Sequence, residues 1–187
     1  MAQQRLLPVE TGFAVMTWPS ISTITFCNGD ASCARVWIRR RLAEILLANP
    51  WLDGRLVKAE GEGTVLLCPT SKPAEGGALP ATLFREGGAC ISRGMPYERV
   101  AAAIKAAGLL VKMGLHCVGK DEPLCKVSLL LDTENPNKMF ALCFSMSHVL
   151  GDGDTFYAVQ NMLNKNAPVN ATPYTHEPKP STLNPRP

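Results

Sequence analysis

No stretch of this chain approaches the roughly 18 to 20 consecutive apolar residues of a membrane-crossing helix, so no transmembrane segment is expected. Near the N-terminus Leu6-Leu7-Pro8-Val9 follows Arg5, but Glu10 ends the run. That is too short for the apolar centre of a signal peptide. Basic tracts interleaved with aromatics are missing too. Aromatics are 6% of the residues, and Lys plus Arg exceed Asp plus Glu only by 19 to 16. This balance argues against nucleic acid as a partner. The one basic cluster, Arg39-Arg40-Arg41, reads as a solvated helix face. The glycines of Glu60-Gly61-Glu62-Gly63 are not followed by Gly-Lys-Ser/Thr, so they mark a turn and not a phosphate loop. The seven cysteines are scattered, odd in number and without a C-x-x-C pair. A disulfide framework and a structural metal site are both disfavoured. Reduced thiols in a cytoplasmic compartment, mostly packed as small hydrophobes, are expected instead. Asn170-Ala171-Thr172 matches a glycosylation acceptor, which without a secretory signal is read as chance.

The 187 residues suit one domain with a sizeable core. Ile21 to Phe26 alternate apolar and polar and predict a strand. Asn28-Gly29-Asp30 is a turn, and Asp30 or Ser32 can cap a helix running to about Ala48. In that helix Ile38, Leu42, Ile45 and Leu46 share one face. Asn49-Pro50 ends it, because the residue before proline avoids helical backbone angles. Trp51 to Val57 predicts a turn entering a strand, and Thr64 to Cys68 a second strand. Residues 69–95, rich in Gly and Pro, are expected to be loop. A helix over Tyr97 to Leu110 would bury Val100, Ile104 and Ala107. Cys125 to Asp132 and the run from Met139 to Met146 predict a hairpin about Asn135-Pro136-Asn137. A last helix from Asp154 to Lys165 would bury Phe156, Val159, Met162 and Leu163. Residues 1–166 thus form one folded unit, and 167–187 a Pro-rich linker or tail.

One stretch carries chemistry: His148-Val149-Leu150-Gly151-Asp152-Gly153, which reads H-x-x-x-D-G. It lies between the buried-strand run and the final helix, so the histidine is delivered by a rigid element to the mouth of a turn. A neutral imidazole there is suited to moving a proton near neutral pH. Asp152 could work with it. Gly153 is expected to relieve a tight backbone turn, with Gly151 serving the same end or none. His116 and His176 read as an ordinary loop residue and a tail residue. Cys143 on the motif strand reads as core. Ser145 and Ser147, on the same strand, could hold substrate or simply supply strand polarity.

Three features occur in order: Pro50-Trp51-Leu52-Asp53-Gly54-Arg55-Leu56 after the first long helix, Glu122-Pro123-Leu124 before a strand, and the H-x-x-x-D-G turn. Together they resemble the N-terminal half of the H-x-x-x-D-G acyltransferase superfamily. That superfamily includes the BAHD acyltransferases and the peptide-synthetase condensation domains, with chloramphenicol acetyltransferase as a trimeric relative. The resemblance covers about residues 5 to 166, and Ser147 before His148 is closer to the single-histidine BAHD form. It implies an α/β fold: a mixed sheet with helices packed on one face, one half of the CoA-dependent acyltransferase fold. It implies an acyltransferase with no permanently bound cofactor, taking acyl-CoA or a phosphopantetheine thioester as co-substrate and a small-molecule hydroxyl or amine as acceptor. His148 would be the general base, and Asp152 would hold the turn by pairing with an arginine, Arg55 or Arg5.

The D-F-G-W-G motif of the second BAHD half is absent from these residues. The expectation is a fragment, or a chain that assembles with a second half or with itself, trimers being the leading option. The competing expectation is a non-catalytic half kept for binding or assembly.

Overall fold

The computed structural model describes residues 2–6, 10–61, 63–69 and 79–171, with side chains from Leu6 onward. Its centre is a mixed four-stranded sheet in the order β2-β7-β6-β5, with β2 Ile21–Asn28, β5 Phe84–Glu86, β6 Cys125–Leu131 and β7 Met139–Met146. β7 is antiparallel to β2, from Ile21 opposite Met146 to Asn28 opposite Met139. On its other edge β7 is antiparallel to β6, and Cys125 also faces Met146. β5 joins β6 in parallel, which makes the sheet mixed. A separate antiparallel sheet, β1-β4-β3, comprises β1 Ala2–Arg5, β3 Arg55–Ala59 and β4 Gly63–Cys68.

The apolar runs of β6 and β7 are explained by cover on both faces. Alternate side chains of β7 point opposite ways. Phe144 and Met146 enter the core shared with α2 (Ala31–Ala48) and α4 (Gly153–Met162). Ala141 and Cys143 join Val100 and Ile104 of α3 (Tyr97–Ala106). The expected mixed sheet with helices on one face is present in α2 and α4, and α3 adds cover on the other.

The long helix α2 forms as its sequence predicts. Asp30 Oδ1 accepts the Ser32 amide at 2.9 Å, and Ile38, Leu42, Ile45 and Leu46 are all buried. Each such side chain contributes about 1.5–3 kcal/mol by leaving water. In α4 all four expected residues, Phe156, Val159, Met162 and Leu163, are likewise buried.

Several boundaries differ from expectation. The described part of 69–95 is not all loop. It holds β5 and a bridge from Ile91 to Asp132, because the open edge of β6 supplies the pairing. Residues 70–78 lie outside the described residues. Helix α3 stops at Ala106, where Gly108 takes a left-handed φ of 66°. Beyond it Lys126 Nζ donates to the Gly108 and Leu110 carbonyls. A short helix, α1 (Phe13–Thr17), also goes beyond the sequence expectation, and it packs beside the motif turn.

The Arg39-Arg40-Arg41 cluster is only partly a solvated face. Arg40 is exposed, but Arg39 pairs with Glu86 and lies over the Phe84 ring. Arg41 donates to the carbonyls of Met162 and Ala167, and Asn49 donates to that of Asn170. These bonds hold residues 162–170 against α2. The rest of the Pro-rich stretch, 172–187, lies outside the described residues, and His176 with it.

Candidate functional site around His148

β7 ends at Met146, and the chain passes through Ser147 into a 3₁₀ turn, His148–Leu150. The turn is built from its own residues. Ser147 Oγ accepts the Val149 amide at 3.3 Å, and the Ser147 amide donates to the Leu124 carbonyl at 2.8 Å. Val149 and Leu150 are buried beneath it, while His148 is half-exposed. The imidazole forms no hydrogen bond or ion pair among the described residues. Its ring neighbour is Trp18, edge-on, with centroids 5.1 Å apart and planes at 76°. An imidazole held by packing alone keeps its ring nitrogens open to a further hydrogen bond.

Asp152 stands at the N-terminus of α4 and caps it, Oδ1 accepting the Thr155 amide at 3.0 Å. That bond holds its carboxyl below the usual carboxylate range. The carboxylate is exposed and makes no hydrogen bond to His148. The expected arginine partner is not Arg55. Its Nε bonds Asp121 Oδ1 at 2.8 Å, and its Nη1 lies 3.2 Å from Asp53 Oδ1. The physical reason is local: Asp152 begins a helix, and the free amides there attract the carboxylate. The side chain of Arg5 lies outside the described residues.

The steric need expected at Gly153 falls on Gly151. A Cβ at Gly153 would meet nothing within 4 Å, whereas one at Gly151 would lie 2.7 Å from the Thr155 Cβ. Thr155, whose amide is capped by Asp152, therefore fills the space that Gly151 leaves. Gly114 is packed as tightly. A Cβ there would come 2.5 Å from Val149 Cγ2, so the turn Gly114–His116 lies directly on the motif turn. His116 in that turn is exposed and apart from the motif.

Ser145 and Ser147 are both committed to structure. Ser145 Oγ receives the Ser22 hydroxyl at 2.8 Å and the Val111 amide at 3.1 Å, and donates to Ser20 Oγ at 3.2 Å. It ties β2, β7 and the segment after α3 together just below the motif. Cys143 is core, as expected, with its thiol pushed up to about 11 by burial. Cys125 is pushed up to about 12 by burial and by the nearby Asp53 charge. Neither is a thiolate near neutral pH, so neither is poised as a nucleophile.

Trp18, Ser20, Ser22 and Gly114 were not singled out from the sequence. No local pattern marks them, since each meets the motif across more than thirty residues of chain. Trp18-Pro19, an aromatic directly before a proline, is the nearest thing to a signal.

No family model and no curated protein matches this sequence. Solved structures do share the fold. The chain is similar to the first condensation domain of the calcium-dependent antibiotic synthetase, in complex with a substrate analogue. The TM-score is 0.57 at 13% identity, over 87% of this chain and 36% of that one. It is similar to TRI3 trichothecene 15-O-acetyltransferase from Fusarium sporotrichioides, at TM-score 0.56 and 10% identity, over 86% of this chain and 34% of that one. TRI101 from F. graminearum, complexed with coenzyme A and T-2 mycotoxin, matches at TM-score 0.55 and 15% identity, over 87% of this chain and 38% of that one. The chain spans about a third of the length of these structures. At such identities the likeness is one of fold, so this is an α/β chain with the fold of one lobe of the condensation-domain and acyltransferase structures.

Proposed function

We propose that this chain is the histidine-bearing lobe of an acyltransferase. The observation that carries the reading is His148: a half-exposed imidazole at the end of a buried strand, with no hydrogen-bond partner among the described residues. In the reaction, the acceptor hydroxyl or amine attacks the thioester carbonyl as His148 Nε2 or Nδ1 takes its proton. The carbon–sulfur bond then breaks, and the imidazolium returns the proton to the leaving thiolate. The donor is an acyl-CoA or a phosphopantetheine thioester, a reading supported by the coenzyme A held in one structural neighbour. Asp152 has a positioning role in this scheme, since its carboxylate is spent on the start of α4.

A second lobe or further copies of the chain would complete the site. Phe13, Trp18, Met113 and Leu115 are exposed, and all four belong to the segments that surround His148. Such apolar surface is suited to a partner, and positioning two substrates needs an opposing wall. Seven scattered cysteines, four of them buried, suit a reducing, cytoplasmic setting. Among the described residues no helix is long and apolar enough to cross a membrane.

The test is thiol release from a panel of acyl-CoA donors and small alcohols or amines, with the full chain at high concentration. His148→Ala should lower turnover about 10²- to 10⁴-fold, with an unchanged circular dichroism spectrum. A folded variant that keeps wild-type turnover removes His148 from the role of base. The competing reading is a non-catalytic assembly lobe, which the exposed apolar side chains about His148 would serve equally. It predicts no turnover in any oligomeric fraction, and an unchanged partner affinity in His148→Ala.

A further inference from the structure

On the α3 face of the sheet lies a cavity of about 260 Å³ between β5, the start of β6 and the loop after α3. Its charges are unevenly matched. Arg85, Lys126, Asp121 and Glu122 all line it. Both acids are already neutralised from outside the cavity: Asp121 by Arg55 at 2.8 Å, and Glu122 by Lys112. Among the described residues neither cation has a carboxylate: Arg85 reaches the Ala107 carbonyl, at 3.4 Å, and Lys126 the Gly108 and Leu110 carbonyls. Counting the outside partners, four cations stand here against three acids, since Arg55 also holds Asp53. Register places the two free cations together: Arg85 is opposite Ser128, and Lys126 points to the same face two residues earlier. Ala81, Leu109 and Pro123 supply apolar lining beside them.

We propose that this cavity binds a small molecule with an oxyanion head, a carboxylate or a phosphate ester, carried on a short apolar body. The head takes the free guanidinium edge of Arg85 and the remaining proton of the Lys126 ammonium, the planar fork of arginine suiting either oxyanion. The body lies against Ala81, Leu109 and Pro123. The volume sits just below the usual range for small-molecule sites, which limits the ligand to a compact one. Burial holds the Lys126 ammonium below its ordinary range despite the attraction of Glu122, as expected for a cation short of an anion. The site stands independently of acyl transfer at His148.

The experiment is a titration of the ¹⁵N-labelled full chain with sodium benzoate and, separately, with inorganic phosphate. Sodium chloride at matched ionic strength is the reference. The amides of Gly108, Leu109 and Ser128 report. Saturable shifts there with benzoate, phosphate or both are expected, and which probe binds more tightly identifies the head. Arg85→Gln removes an exposed side chain with one long contact, so the fold should persist. It should weaken binding about tenfold, the loss of a charged hydrogen bond. Lys58→Gln, which removes an exposed charge on β3, should leave affinity unchanged. The proposal is overturned if neither probe gives saturable shifts beyond those of chloride, if Arg85→Gln leaves affinity intact, or if Lys58→Gln weakens it equally.

Discussion

At the scale of single residues, the proposed function divides the motif turn between chemistry and support. Among the described residues His148 is the member left without a polar partner, and Asp152 is bound to the helix that follows. Asparagine is as good a helix cap as aspartate, so Asp152→Asn should change the melting temperature little. Asp152→Ala should cost about 1 kcal/mol. A cost of several kcal/mol for Asp152→Asn would instead reveal a buried charged partner. Acidity should act through the same group. Its folded-state pKa is lowered, so its contribution is present above the unfolded value and lost as pH falls through the folded one. Acid titration of stability in wild type and Asp152→Asn should therefore diverge only on the acid side of the ordinary carboxylate range, the wild type losing more.

At the scale of elements, the stretch Pro50 to Leu56 works as a keystone. Trp51, Leu52 and Leu56 are buried, and Arg55 bridges Asp53 to Asp121. Gly54 admits no side chain. A Cβ there would sit 2.7 Å from Leu66 Cδ1 and 2.9 Å from the Trp51 carbonyl oxygen. Gly54→Ala should destabilise the chain by about 1–3 kcal/mol through overpacking, readable as a lower urea midpoint. An unchanged midpoint would mean that Leu66 and the backbone yield freely. The existence of this stretch was legible in its sequence. Its reason was not, because the crowding comes from β4, across a pairing that local pattern does not encode. The same holds for β5: three residues are too few for periodicity, and only the edge of β6 makes them a strand.

At the scale of the whole molecule, the surface around His148 carries exposed apolar side chains. The exposed Phe13, Trp18, Met113 and Leu115 stand on segments that pack about the motif turn. Light scattering after size exclusion should find self-association, trimers first, or binding to a separately supplied second lobe. Leu115→Asp should abolish that association while leaving the core untouched, since Leu115 is half-exposed. A monodisperse wild-type monomer that turns over acyl-CoA would show that one lobe builds a complete site.

The sequence by itself determined whatever depends on local period and punctuation. The α2 face, the β6–β7 hairpin, the burial of Phe156 and Val159, and the delivery of His148 at a strand end are all of this kind. They follow from side chains repeating every 3.6 or 2 residues and from caps and prolines acting over a few residues. Tertiary structure alone decided what arises where distant segments meet. Trp18 comes edge-on to His148, Ser20 and Ser22 reach Ser145, Arg55 turns to Asp121 rather than Asp152, and Gly151 rather than Gly153 bears the crowding. Those outcomes depend on close packing between elements far apart in the chain, where a shift of one ångström changes which group is in contact.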